Sequence, residues 1–106
     1  MARREGSLDR ARQRKPRARD RAWQSMRILR CFTIADLIAT AEIGRANVQI
    51  YMLWLERSGY LRRTAERRSG QRGGFVVYRL VRDTGPYAPR ADRGRVHDIN
   101  TEVTHD

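Results

Sequence analysis

Residues 33–61, TIADLIATAEIGRANVQIYMLWLERSGYL, decide the fold. Thr33, with Asp36 three positions on, makes a capping-box-like start. Ile34, Leu37 and Ile38 supply the inner face of a short helix that ends near Thr40 or Ala41. The turn Ala41-Glu42-Ile43-Gly44 follows, with Ile43 as a plug into the core and Gly44 as the N-cap of a longer helix. On that helix Val48, Tyr51, Met52 and Leu55 recur at offsets of three and four, which gives one buried stripe. Gly59 is placed to end it in the left-handed conformation. Tyr60, Leu61 and the alternation through Ala65 then predict a strand.

Downstream, Phe75 to Leu80 is β-branched and aromatic and reads as a returning strand, joined to the first by the eight residues Arg67 to Gly74. Upstream, Asp20 caps a helix running through about Arg30, whose apolar side is Trp23, Met26, Ile28 and Leu29 with the stem of Arg27. Phe32 and Thr33 add a brief extended stretch. Residues 1–20 alternate Arg with small or polar side chains, and Leu8 is the one large aliphatic after Met1. Such a stretch buries too little apolar area to offset its ordering entropy, so it reads as a flexible basic arm. Residues 85–106 contain Pro86 and Pro89, and Val96, Ile99 and Val103 are thinly spaced, so this part reads as a mostly irregular tail. The folded domain is then residues 21–84. A domain of that size buries only about 60% of its unfolded surface, and association with a second copy would add stability.

Charge narrows the partners. The chain of 106 residues has a formal net charge of +11, unevenly spread. Residues 1–21 carry nine basic and three acidic side chains, residues 22–81 ten and four, and residues 82–106 four and five. The positive field therefore sits on the arm and the middle segment. Nearly all of it is Arg, with Lys15 the lone lysine, and Arg forks pair bidentately with phosphate oxygens and guanine edges. Nucleic acid is the expected partner, ahead of an anionic membrane surface or an acidic protein. A single cysteine, Cys31, excludes a disulfide framework within the chain and reads as a small buried core residue in a reducing compartment. No apolar run approaches the roughly 20 residues of a membrane helix, and the basic start lacks the apolar stretch of a secretory signal. The expected location is cytoplasmic, on the nucleoid when bound.

Two helices joined by a fixed turn serve duplex recognition when one braces on the backbone and the next enters the major groove by its leading end. The leading residues of the longer helix are Arg45, Ala46, Asn47, Gln49 and Ile50. Asn and Gln pair with adenine, Arg with guanine, and small apolar groups meet the thymine methyl. Asn47 and Gln49 are the preferred base readers. The hairpin tip adds Arg67, Arg68 and Arg72 among Gly70, Gly73 and Gly74, a pattern for phosphate contact or minor-groove insertion. Arg12, Arg14, Lys15, Arg17 and Arg19 form the basic arm. The Gly-rich loop lacks a Walker pattern and a following helix, so no nucleotide cofactor is expected.

Trp23 to Leu80 resembles a winged helix-turn-helix DNA-binding domain. The run IGRANVQIYMLWLERSGYL from Ile43, which closes in Leu-Glu-Arg-x-Gly-aromatic-Leu, is similar to the recognition helix and following strand of many bacterial winged-helix regulators. WQSMRILRCFTIADL from Trp23 also resembles small helix-turn-helix proteins of transposable-phage and prophage genomes. The resemblance covers a little over half the chain. It implies an α+β, mainly α fold of three helices with a C-terminal β-hairpin wing. It also implies major-groove entry of the helix beginning at Arg45, wing contact by Arg67, Arg68 and Arg72, and a role in transcription regulation. The chain lacks the effector domain and long dimerisation helices of the larger regulators.

Ile50, Leu53 and Trp54 lie at i, i+3 and i+4, away from the Val48 stripe. Either Trp54 packs against the first helix or a terminal tail, or the three form a surface for a second copy or another protein. The second case would make the chain a recruitment module in phage DNA processing. RNA binding through the Arg-rich arm is a further alternative. Catalysis has little support: His97 and His105 lie near Asp92, Asp98 and Asp106 without ordered metal-ligand spacing, and Ser25, Ser58 and Ser69 have no neighbouring His in sequence.

Overall fold

The computed structural model describes residues 16–68 and 75–106, with residues 67 and 68 described by their backbone alone. Helix α1 spans Ala18–Leu29. Asp20 acts from inside it, because its carboxylate accepts the Arg17 backbone N–H at 2.8 Å. The helix thus starts before Asp20, and residues 18–20 belong to it rather than to an arm. Ala22, Trp23, Ser25 and Met26 are buried. Ile28 is 80% exposed and Leu29 40%, contrary to expectation. The reason is angular: two residues past Met26 is about 200° of helix rotation, which turns Ile28 to the far side.

Arg30, with φ +67, turns the chain into β1, Cys31–Phe32. Cys31 is half-buried there instead of in the core. Helix α2 spans Ile34–Ala41 behind the expected capping box: Thr33 Oγ1 accepts the Asp36 N–H at 3.1 Å, and Asp36 accepts the Thr33 N–H at 2.9 Å. Glu42, with φ +51, ends α2, and Ile43 is buried as the plug. Gly44 is the N-cap of α3, Arg45–Arg57, whose buried residues are Val48, Tyr51, Met52 and Leu55 as the spacing predicts. Gly59 has φ +88. Its N–H donates to the Glu56 carbonyl at 3.2 Å, and the Tyr60 N–H reaches Leu55 at 2.9 Å. Those two bonds make a Schellman stop.

Strands β2 (Leu61–Arg68) and β3 (Phe75–Leu80) pair antiparallel, and β1 joins the free side of β3, so the sheet order is β1-β3-β2. Between Arg63 and Arg67 the β2 strand advances four residues against two on β3, a bulge in the ladder. Leu61, Tyr78 and Leu80 face the helices and close the core.

The largest departure from the sequence reading lies beyond β3. Residues 85–106 contain a second antiparallel sheet, ordered β4-β5-β6: β4 (Arg90–Asp92), β5 (Arg95–Asp98) and β6 (Val103–His105). Arg93 and Gly94, both with positive φ, make the two-residue β4–β5 turn. Strands of three or four residues are too short to show alternation, which is why the segment reads as irregular. Among the described residues the chain is α+β, with three helices and two small antiparallel sheets. Among these residues the strand content exceeds what the sequence alone predicts, because the C-terminal segment adds three short strands.

This second sheet is stitched to the helices through buried polar groups. Trp23 Nε1–H donates to the Gly85 carbonyl at 2.9 Å, and the Tyr51 hydroxyl donates to the Pro89 carbonyl at 2.8 Å. Asp98 is fully buried and accepts from the Tyr60 hydroxyl at 2.8 Å, the Thr84 hydroxyl at 2.6 Å and the Asn100 N–H at 2.9 Å. Asn100 in turn donates to the Tyr87 carbonyl at 2.7 Å and accepts its N–H at 3.1 Å. Gly85 is required beside it: φ is +146, and a Cβ would lie 2.6 Å from Asn100 Oδ1.

Burial holds the Tyr60 phenol well above the ordinary tyrosine range, aided by its hydrogen bond to Asp98 and the charge of that carboxylate. Burial does the same to Tyr51. Because the folded pKa values are raised, the neutral phenols favour the fold below the ordinary pKa near 10, and that contribution is lost as pH rises further. Thermal melts between pH 8 and 12 are expected to show a falling Tm above about pH 10. Tyr60→Phe should blunt this fall and lower neutral-pH stability by about 1–3 kcal/mol, since Asp98 loses a buried donor.

Candidate nucleic-acid interface

Helix α3 projects its leading turn to solvent. Gly44, Arg45, Ala46, Asn47, Gln49 and Ile50 are all exposed, and Ile50 keeps 45% of its surface open. The buried stripe of Val48, Tyr51, Met52 and Leu55 fixes this orientation, because it holds the opposite side of the helix against the core. Gln49 has no hydrogen-bond partner among the described residues, so both its amide oxygen and its amide nitrogen are open to an adenine edge.

Asn47 is differently placed. It lies on the flank of α3 facing the start of α1, and its Oδ1 accepts from Arg19 Nε at 2.7 Å. The Arg19 guanidinium also donates through Nη1 to the Ala91 carbonyl at 3.1 Å and lies 5.3 Å over the Tyr51 ring. Arg19 is therefore a positioned residue of α1 rather than part of a mobile arm. An Arg Nε–H can only donate, which identifies the Asn47 atom facing it as oxygen and leaves the amide nitrogen with two free N–H groups. That oxygen, which has a second lone pair, is shared with Arg19, whereas the Gln49 amide is uncommitted among the described residues.

Of the other basic residues, Arg12, Arg14, Lys15 and Arg72 lie outside the described residues. Arg17 caps α1 and is exposed. Arg67 and Arg68 are on β2 opposite Val76 and Phe75. On the face of the first sheet turned from the helices, Arg62 and Arg79 sit directly across from one another, both exposed. Several arginines are committed to carboxylates: Arg27 and Arg30 to Asp83 at 3.0 and 3.2 Å, Arg63 to Glu56 at 3.0 Å, and Arg95 to Asp106 at 3.3 Å. Arg90, which the sequence reading did not single out, joins Arg17 and Arg19 around one concavity. No sequence signal could find it, since its placement depends on β4.

Ile50, Leu53 and Trp54 do not form one open apolar patch. Leu53 and Trp54 are half-buried, and Trp54 packs against the core. Its ring lies beside Gly94 of the β4–β5 turn, where an added Cβ would sit at 3.8 Å, and the Arg57 guanidinium lies 5.5 Å over it. The C-terminal sheet packs on part of Trp54, the option of packing against a terminal tail.

His97 contacts Thr104 at 2.8 Å and Glu102 at 3.4 Å, while His105 Nε2 lies 3.0 Å from the Tyr60 hydroxyl. Among the described residues no group of three or more His, Cys, Asp or Glu side chains is arranged to hold a metal ion. No described helix is long and apolar enough to cross a membrane. Comparisons of the chain with protein-family models, with curated proteins and with solved structures found no match.

Trp54→Ala is expected to lower stability by about 1–3 kcal/mol in denaturant unfolding, less than the ~3–5 kcal/mol of a fully buried tryptophan. An unchanged midpoint would show that the contact with the second sheet contributes nothing to stability.

Proposed function

We propose that the chain binds duplex DNA as a winged helix-turn-helix protein and acts as a small regulator of transcription. The observation that carries this reading is the element order α1-β1-α2-α3-β2-β3 with β1 beside β3, combined with the open leading turn of α3. In this reading α2 braces on the backbone and α3 enters the major groove by its first two turns. Gln49 pairs with adenine, Arg45 with guanine or an adjacent phosphate, and Ala46 and Ile50 meet thymine methyl groups. The tip end of the β2–β3 hairpin, carrying Arg67, Arg68 and Arg72, lies along the backbone or the minor groove. The net charge of +11 supplies long-range attraction to the duplex.

Selection from a randomised duplex pool, followed by anisotropy titration of the selected and a scrambled duplex, tests the reading. Gln49→Ala should reduce discrimination by about 1–3 kcal/mol at one base pair while leaving the scrambled duplex unaffected. Equal losses on both would remove Gln49 as a base reader. Removing residues 2–15, a cut that stops short of α1, should weaken both duplexes alike and flatten the salt dependence. Preference for double-stranded RNA over DNA at the same salt would favour the RNA alternative.

A further inference from the structure

A cavity of about 410 Å³ opens between the start of α1 and the segment leading into β4. Arg17, Arg19, Arg90 and Asn47 line it, together with the backbone from Ala88 to Ala91. Asp20 is the one acid in the lining, and its carboxylate is turned to the Arg17 backbone N–H. Among the described residues none of the three arginines has a carboxylate partner, whereas Arg27, Arg30, Arg63 and Arg95 each do. The three arginines outnumber the single acid of the lining, so the cavity carries a net positive charge that favours an anion.

The cavity is also organised. Arg19 is held by Asn47 Oδ1, by the Ala91 carbonyl and by the Tyr51 ring, so its remaining Nη2 is held in place at little further entropic cost. The bond to Oδ1 leaves the two Asn47 amide hydrogens as donors beside the guanidinium groups, and charged N–H donors suit phosphate oxygens. Its position carries the rest. Asn47 lies in the leading turn of α3, so the cavity sits on the flank of that helix. A major groove is about 12 Å wide, so a helix seated in it has a phosphate ridge along each flank.

We propose that this cavity holds a phosphodiester of one DNA strand, gripped by Arg17, Arg19 and Arg90, while α3 occupies the adjoining major groove. The inference rests on the reading of α3 given above. The C-terminal sheet is then part of the binding surface, because it contributes Arg90 and the carbonyl that orients Arg19.

The test uses the full chain. Arg17 and Arg90 are exposed and make no side-chain hydrogen bond among the described residues, so Arg17→Gln with Arg90→Gln leaves the fold intact. Binding to a selected and a scrambled duplex is measured over a range of KCl concentrations. The double variant should weaken both by the same factor and make the log–log salt slope shallower by about 0.9 for each phosphate released. Arg62→Gln with Arg79→Gln removes the same charge from the outer sheet face and should leave the slope nearly unchanged. Equal slope changes for the two pairs, or none for the first, would overturn the assignment. That result leaves the α3 reading standing if Gln49→Ala still alters base preference, so the two failures are distinguishable. Titration with inorganic phosphate, followed through the Arg19 Nε–H resonance, separates the sources. Phosphate binding lost in the double variant without any change in duplex binding would mark a small-anion site and would also overturn the assignment.

Discussion

The structure depends on one constraint: three large aromatic side chains can be buried only if their polar tips are satisfied. Trp23, Tyr51 and Tyr60 are among the largest fully buried side chains. Each carries an N–H or O–H that would cost free energy comparable to a lost hydrogen bond if left unmet in the core. All three are met by the segment after β3, through Gly85, Pro89 and Asp98. The helices and the stop after α3 supply donors and the C-terminal segment supplies acceptors, so neither part is complete alone. A proline suits this arrangement at position 89, since it offers a carbonyl without bringing an N–H that would need its own partner.

The same attachment shapes the surface of α3. Tyr51 and Trp54 fasten one flank of the helix to the second sheet, and Asn47 is drawn to that side through Arg19 and Ala91. What remains open is the outer stripe of Arg45, Ala46, Gln49 and Ile50. The sheet thus shields part of a large aromatic from solvent and, through Arg19, fixes the Asn47 side chain. A side chain already fixed loses less entropy when it meets a ligand.

Much of the first body was legible in the residues. The Thr33–Asp36 box, Gly44 as N-cap, the Gly59 stop and the four-residue stripe of α3 are local devices whose bonds close within one or two turns. Signals of this kind survive without knowledge of the rest of the chain. The departures have separate causes. Ile28 is apolar and so suggests the inner face, though its angle from Met26 sends it outward. Asp20 looked like a cap, yet it serves from the third position with Arg17 ahead of it. For Trp54 the residues leave open a terminal tail or a partner surface, because the sheet that packs on it is hidden in three short strands.

The sequence by itself determined the order of helices and strands as far as β3, the side that α3 buries and the strong positive charge, because backbone capping and side-chain period act over a few residues. Only the tertiary structure decided that residues 85–106 are folded, that Asn47 is tied to Arg19, and that Arg17, Arg19 and Arg90 surround one cavity. Those outcomes join positions 28 to 73 residues apart. They rest on buried hydrogen bonds whose donors and acceptors find one another only after the chain has closed around Trp23, Tyr51 and Tyr60.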